Sequence, residues 1–160
     1  MKKILILLLL CLFLLSGCRK NGNGVEESSN KINSVYDFNS VIKGRLSKPT
    51  NKNVSDETYE IEETAEGIIA QYSFKIGETQ YIIKFSDTIM PKDISGIMVD
   101  GNPVFEEDYS DVRASGEGCK LARWFTTDGQ YVLIVPDNLD DNLFNSILDE
   151  IATASVPQEN

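Results

Sequence analysis

Two β-rich runs, each turned back within two residues, restrict the fold of this chain more than any other feature. In the first, "GIIAQYSFKI" and "TQYIIKFS" flank Gly77 and Glu78. In the second, "CKLARWFTTDGQYVLIV" (residues 119–135) carries Asp128-Gly129 at its centre, a pair that supplies positive φ at low cost. A parallel crossover needs about a dozen residues or more, so connections this short force antiparallel neighbours. The return strand from Tyr131 to Val135 is apolar on both faces, which predicts an interior strand covered on one side by a helix. "SGEG" at residues 115–118 reads as a further turn.

The covering helix follows at once. In "PDNLDDNLFNSILDEIATA", Leu139, Leu143, Ile147 and Ile151 recur four apart, and Phe144 and Leu148 widen the stripe. Asp137 or Asn138 is the expected cap, with Asp140 and Asp141 at the positive end of the dipole. A shorter helix is predicted over residues 37–46, "DFNSVIKGRL", with Phe38, Val41, Ile42 and Leu46 inward and Asp37 capping. Residues 47–56 read as a breaker-rich loop, "TYEIEE" as a strand alternating Tyr59 and Ile61 with polar residues, and "ISGIMVDGNPVF" as a short strand ending in a turn at Asp100-Gly101-Asn102-Pro103. The expected class is α+β: one curved antiparallel sheet of hairpins, with a short N-terminal helix and a C-terminal amphipathic helix against it. No internal repeat or second linker is visible.

The beginning of the chain follows a different logic. Lys2 and Lys3 precede an apolar run from Ile4 to Leu15, the charged-then-apolar plan of a secretory signal. The run is too short for a bilayer-spanning helix, which needs roughly 20 residues. It ends in Leu15-Ser16-Gly17-Cys18, which resembles the bacterial lipoprotein box. The resemblance implies cleavage between Gly17 and Cys18 and lipidation of the Cys18 thiol, with two or three acyl chains giving stable attachment to the outer face of the cell membrane. The expected organisation is a signal peptide over residues 1–17, a lipidated N-terminus and flexible tether over 18–33, one globular domain over 34–155 and a disordered tail over 156–160. The tether "RKNGNGVEESSNKIN" is Gly, Ser, Asn and charge, and about fifteen such residues reach roughly 20 to 23 Å.

Cleavage there removes Lys2 and Lys3 and takes the formal charge from −10 to −12. Nucleic acid and anionic head groups are poor partners for so acidic a chain, and a soluble monomeric domain is expected. Of the three cysteines, Cys11 leaves with the signal and Cys18 takes the lipid. Cys119 alone remains, which excludes an intramolecular disulfide and a CxxC knuckle.

The C-terminal run "RWFTTDGQYVLIVPDNLDDNLFNSILDEIA" combines a strand tryptophan, Trp124, with the DG turn, an aromatic-then-aliphatic strand and an apolar-striped helix. It looks like the end of a domain of unknown function found in lipoproteins and anti-sigma-type proteins of spore-forming Gram-positive bacteria. "YIIKFSDTIMPKDISGIMVDG" likewise looks like small clostridial lipoproteins. The resemblance implies a non-catalytic extracytoplasmic module and supplies no site residues.

The chain contains no histidine, so Ser-His-Asp and Cys-His arrangements and His-based zinc sites are excluded. No GxGxxG or GxxxxGK[ST] cradle occurs, and "DNLDDN" at residues 137–142 lacks the glycine and glutamate of an EF-hand loop. No cofactor or metal is expected. Two function classes remain. One is an interaction module that binds a protein, peptide or envelope component through an exposed sheet face or edge bearing Trp124, Phe125, Tyr72 and Tyr81, although core packing competes as an explanation for each ring. The other is a small carboxylate-dependent hydrolase of wall glycan or peptide, with Glu106, Glu107 and Asp108 placed in a solvated loop. A solute-binding lipoprotein usually needs two lobes, for which the chain is short.

Overall fold

β-branched and aromatic residues at alternate positions make strands here, and the short connections between them decide which strands meet. A computed structural model of the chain describes residues 32, 34–50, 52–88, 92–105 and 111–156. In chain order the elements are α1 (Val35–Ile42), β1 (Val54–Glu63), β2 (Ile68–Ile76), β3 (Thr79–Ser86), β4 (Met98–Val99), β5 (Asn102–Pro103), β6 (Val112–Gly116), β7 (Cys119–Thr126), β8 (Gly129–Pro136) and α2 (Asp141–Ser155). Six strands form one antiparallel sheet in the order β1-β2-β3-β8-β7-β6, while β4 and β5 pair separately. The fold is therefore α+β. Both predicted hairpins are present, with Phe74 opposite Tyr81 in one and Trp124 opposite Tyr131 in the other. They are joined where β3 meets β8, for example at Phe85 and Tyr131.

One sheet face and both helices contribute to a single apolar cluster. Tyr72, Phe74, Tyr81, Ile83, Phe85, Trp124, Tyr131 and Leu133 meet Phe38 and Ile42 of α1 and Phe144, Ile147, Leu148 and Ile151 of α2. The other face is covered as well, by the long connection from β3 to β6: Ile94 and Phe105 cluster with Leu121, Val132 and Ile134. This explains why β8 is apolar on both sides, since it lies in the middle of the sheet and is covered on each face.

Several local expectations are corrected. The turn of the second hairpin is Thr127-Asp128, and Gly129 is the first residue of β8 at φ 153°. Its glycine is required mainly by proximity, because a Cβ there would lie 2.1 Å from the Ser86 carbonyl oxygen of β3. Ser34, rather than Asp37, caps α1, its Oγ accepting from the Asp37 N–H at 3.2 Å. That helix ends at Ile42 because Lys43 adopts φ 57°. Val41 is consequently half exposed, and Leu46 enters the core from the following loop, held by two hydrogen bonds to the Asn39 amide. Asp140 caps α2 by accepting from the N–H groups of Asn142 and Leu143, in place of Asp137 or Asn138. β1 starts at Val54, inside the expected loop, and its Ile61 is exposed on the sheet edge. Asp100-Gly101 alone makes the β4–β5 turn, with Asn102 and Pro103 already paired as strand.

β6 was not expected as a strand. It forms because Glu117-Gly118 turns the chain with φ 52° and 76°, bringing "VRASG" back beside β7. Ile32, placed in the expected tether, is partly buried against the helix-covered core. The described residues from Ile32 onward cluster as one compact unit. Gly17, Cys18, Glu106, Glu107, Asp108 and residues 157–160 lie outside the described residues.

Candidate functional site

The structure does not present the expected aromatic surface. Tyr72, Tyr81 and Trp124 are 0, 1 and 7 % exposed, and Phe125 is partly buried. The reason is strand parity: Tyr72, Tyr81 and Trp124 all point to the helix-covered face. Tyr81 stacks on Phe74 at 5.3 Å, and Trp124 stacks on Tyr131 at 5.4 Å while its Nε1–H donates to Ser155 Oγ at 2.8 Å. Phe125 lies on the opposite face, its ring centroid 5.5 Å from the Arg123 guanidinium carbon, with Phe105 on that same cation at 4.6 Å. Three of the four rings are core, and all four are committed to packing.

An accessible concavity lies elsewhere, along the β6 edge of the sheet. There a cleft of about 550 Å³ is lined by Arg113, Ala114 and Ser115 of β6, Lys120 and Leu121 of β7, and Asp141, Phe144 and Asn145 of α2. A smaller hollow of about 200 Å³ adjoins it through Arg113 and extends along Asp111, Trp124, Leu148, Asp149 and Ala152. Together they form a groove between the outermost strand, β6, and the C-terminal helix, α2. It exists because β6 is only five residues long and its helix-side positions are Arg113 and Ser115, which fill less of the space over α2 than apolar rings would.

Charge within the groove is uneven. Lys120 Nζ donates to the Leu139 carbonyl and to Asp141, whose carboxyl is held below its ordinary range by that ammonium. Arg113 donates to Asn145 Oδ1 at 2.5 Å, with its guanidinium carbon 5.9 Å from the centroid of the Phe144 ring. Among the described residues no carboxylate forms an ion pair with Arg113. The groove therefore carries a cation without an ion-pair partner among the described residues, with the carboxylates of Asp111 and Asp149 also on its wall. Arg113, Ser115, Phe144 and Asn145 were missed in the sequence as site residues; the only signal was the alternation of Val112 and Ala114 before the "SGEG" turn.

A larger hollow of about 640 Å³ lies between α1 and residues 46–54. Two of its polar groups are already engaged, Lys48 with Glu57 at 2.9 Å and Thr50 with Glu150 at 2.6 and 2.7 Å. Glu57 also accepts from the Tyr59 and Tyr72 hydroxyls. Burial favours its neutral form, but Lys48 and the two phenols outweigh that and hold the carboxyl below the usual range. A general acid for glycoside cleavage needs the opposite shift. Burial, with Asp137 and Glu117 nearby, pushes the Cys119 thiol up, away from a reactive thiolate. Among the described residues there is no cluster of metal-ligating side chains, and no helix is long and apolar enough to cross a membrane. Residues 137–142 serve to start α2, as Asp140 shows.

Comparison of the chain with known protein families, with curated proteins and with solved structures found no match.

Proposed function

We propose that this chain is a lipid-anchored extracytoplasmic lipoprotein that works as a non-catalytic interaction module at the cell envelope, with the groove between β6 and α2 as its recognition surface. The anchoring half of the reading is supported by Leu15-Ser16-Gly17-Cys18 directly after a short apolar run. The recognition half rests on one observation above all: the groove joins an exposed strand edge to Arg113, a cation lacking an ion-pair partner among the described residues. In this reading the module is a monomer without cofactor, metal or nucleic-acid ligand, related to the small lipoproteins of spore-forming Gram-positive bacteria that its C-terminal run resembles. The sheet is taken as curved over its helix-covered face, a reading supported by the irregularity in β1 between Ser55 and Thr58.

The test has two arms. Cys18→Ser should move the protein from the membrane to the soluble fraction with an unchanged melting temperature; continued lipid labelling of that variant would refute the anchor. Wild-type protein drawn from its own envelope fraction should retain a specific partner that Arg113→Glu loses. Equal recovery by both would remove the groove from the reading.

A further inference from the structure

We propose that the β6 edge takes up an acidic peptide in extended conformation as a seventh strand of the sheet. This rests on the interaction-module reading and states how the groove would be occupied. The two outer strands of the sheet are β1 and β6, and they differ in how they are protected. β1 is ten residues long, bears Asp56, Glu57, Glu60, Glu62 and Glu63, and breaks register between Ser55 and Thr58. Charges and bulges of this kind are the usual means of preventing another chain from pairing with an edge. β6 has no carboxylate, no proline and no break in register against β7.

The register also identifies the backbone groups on offer. Gly116 and Cys119 flank the two-residue Glu117-Gly118 turn, so they exchange both hydrogen bonds, and bonding alternates from there. Val112, Ala114 and Gly116 therefore bond to β7, whereas the N–H and C=O groups of Arg113 and Ser115 face away from the sheet. The side chains of those same two residues line the groove over α2. A strand added about 4.8 Å beyond β6 would pair with Arg113 and Ser115, and every second side chain would point into the groove.

The chemistry of those side chains is set by charge. Lys120 is already neutralised by Asp141, whereas Arg113 meets the Asn145 amide and the Phe144 ring; of the other carboxylates on the groove wall, Asp111 accepts from the Phe125 N–H, and neither it nor Asp149 forms an ion pair with Arg113 among the described residues. A carboxylate next to Arg113 completes a charge-assisted pair, and an ammonium there adds repulsion. Phe144 provides an apolar wall for the intervening carbon atoms.

The probe is Ac-VEVEVEVE-NH2, with Ac-VKVKVKVK-NH2 as its counterpart, added to the chain as the cell makes it, in mild detergent. Hydrogen exchange is followed residue by residue. Saturating acidic peptide should slow exchange of the Arg113 and Ser115 amides by about tenfold or more, and should leave the β1 edge unchanged. The lysine peptide should bind about tenfold more weakly, and salt should weaken the acidic one. Ser115→Pro removes one outward N–H without touching the ladder to β7, so it should abolish binding while the melting temperature holds, and Ser115→Ala should bind as wild type does. Undiminished binding by Ser115→Pro would overturn strand addition while leaving a groove-binding module intact. Absence of protection, or equal protection by both peptides, would overturn the acidic occupant. Protection that grows with protein concentration without peptide would assign the edge to a second copy, and would also overturn the proposal. Anchoring is scored separately through Cys18, so its failure cannot be mistaken for any of these outcomes.

Discussion

Gly129→Ala should be among the most damaging single-methyl changes the sheet can suffer. The added Cβ would sit 2.1 Å from the Ser86 carbonyl oxygen and 2.8 Å from a ring carbon of Phe85. Both belong to β3, and Ser86 is paired with Gln130, the next residue of β8. The obstruction is backbone, so relief requires the two central strands to move apart, at about 1 to 3 kcal/mol for overpacking of this kind. The backbone at φ 153° adds strain of order 1 to 3 kcal/mol for a residue with a Cβ. The sum is about 2 to 6 kcal/mol against a total stability of roughly 5 to 15. At about 3 to 5 °C per kcal/mol for a domain of this length, the midpoint of thermal unfolding should fall by roughly 6 to 30 °C. Gly118→Ala is the control: φ is 76°, but no atom lies within 4 Å of the added carbon, so only the conformational cost of about 1 to 2 kcal/mol remains. Thermal and urea melts of both variants test the reasoning. Equal losses, or a shift below about 2 °C for Gly129→Ala, would show that the β3–β8 contact is not as close as the register requires.

Glu57→Gln should lower stability at neutral pH, and the gap from wild type should close in acid. The sign follows from a carboxyl pKa depressed by Lys48, Tyr72 and Tyr59 despite burial: the contribution is complete above the ordinary glutamate range and is lost as pH falls through the lower folded value. Urea midpoints between about pH 3 and 7 read this directly, and a gap independent of pH would refute it. Cys119, with its thiol pushed up by burial and by Asp137 and Glu117, should react with iodoacetamide more slowly at pH 7.5 in the native protein than in urea. Equal rates would contradict its placement at the start of β7.

The interior of the sheet was readable in the sequence because two-residue turns leave little choice of partner. "GE" between two aromatic runs and "DG" between Trp124 and Tyr131 each allow one topology, and the stripe Leu143, Ile147, Ile151 allows one buried helix face. What escaped were positions where tertiary contact overrides local pattern. Gly129 was read as a turn residue, but the missing Cβ is needed by Ser86, forty-three positions away in the chain. "VRASG" shows almost no apolar period, yet a type I′ turn at Glu117-Gly118 draws it into the sheet. The site was less legible than the fold. Aromatic residues were the natural candidates for a binding surface, but Tyr72, Tyr81 and Trp124 are on the strand face that meets the helices, a parity that cannot be assigned before strand order is known. Arg113 and Phe144 are thirty-one positions apart and come together only because β6 and α2 flank the same corner of the sheet.

The most direct measurement of the whole reading is photo-crosslinking in intact cells, with one photoreactive residue replacing Asn145 in the groove and another replacing Glu62 on the opposite edge. A membrane-tethered module that recognises its partner through β6 and α2 should give a discrete adduct from position 145 in the membrane fraction, lost on Arg113→Glu, and none from position 62. Identical adducts from both positions, or an Asn145 adduct that survives Arg113→Glu, would contradict it.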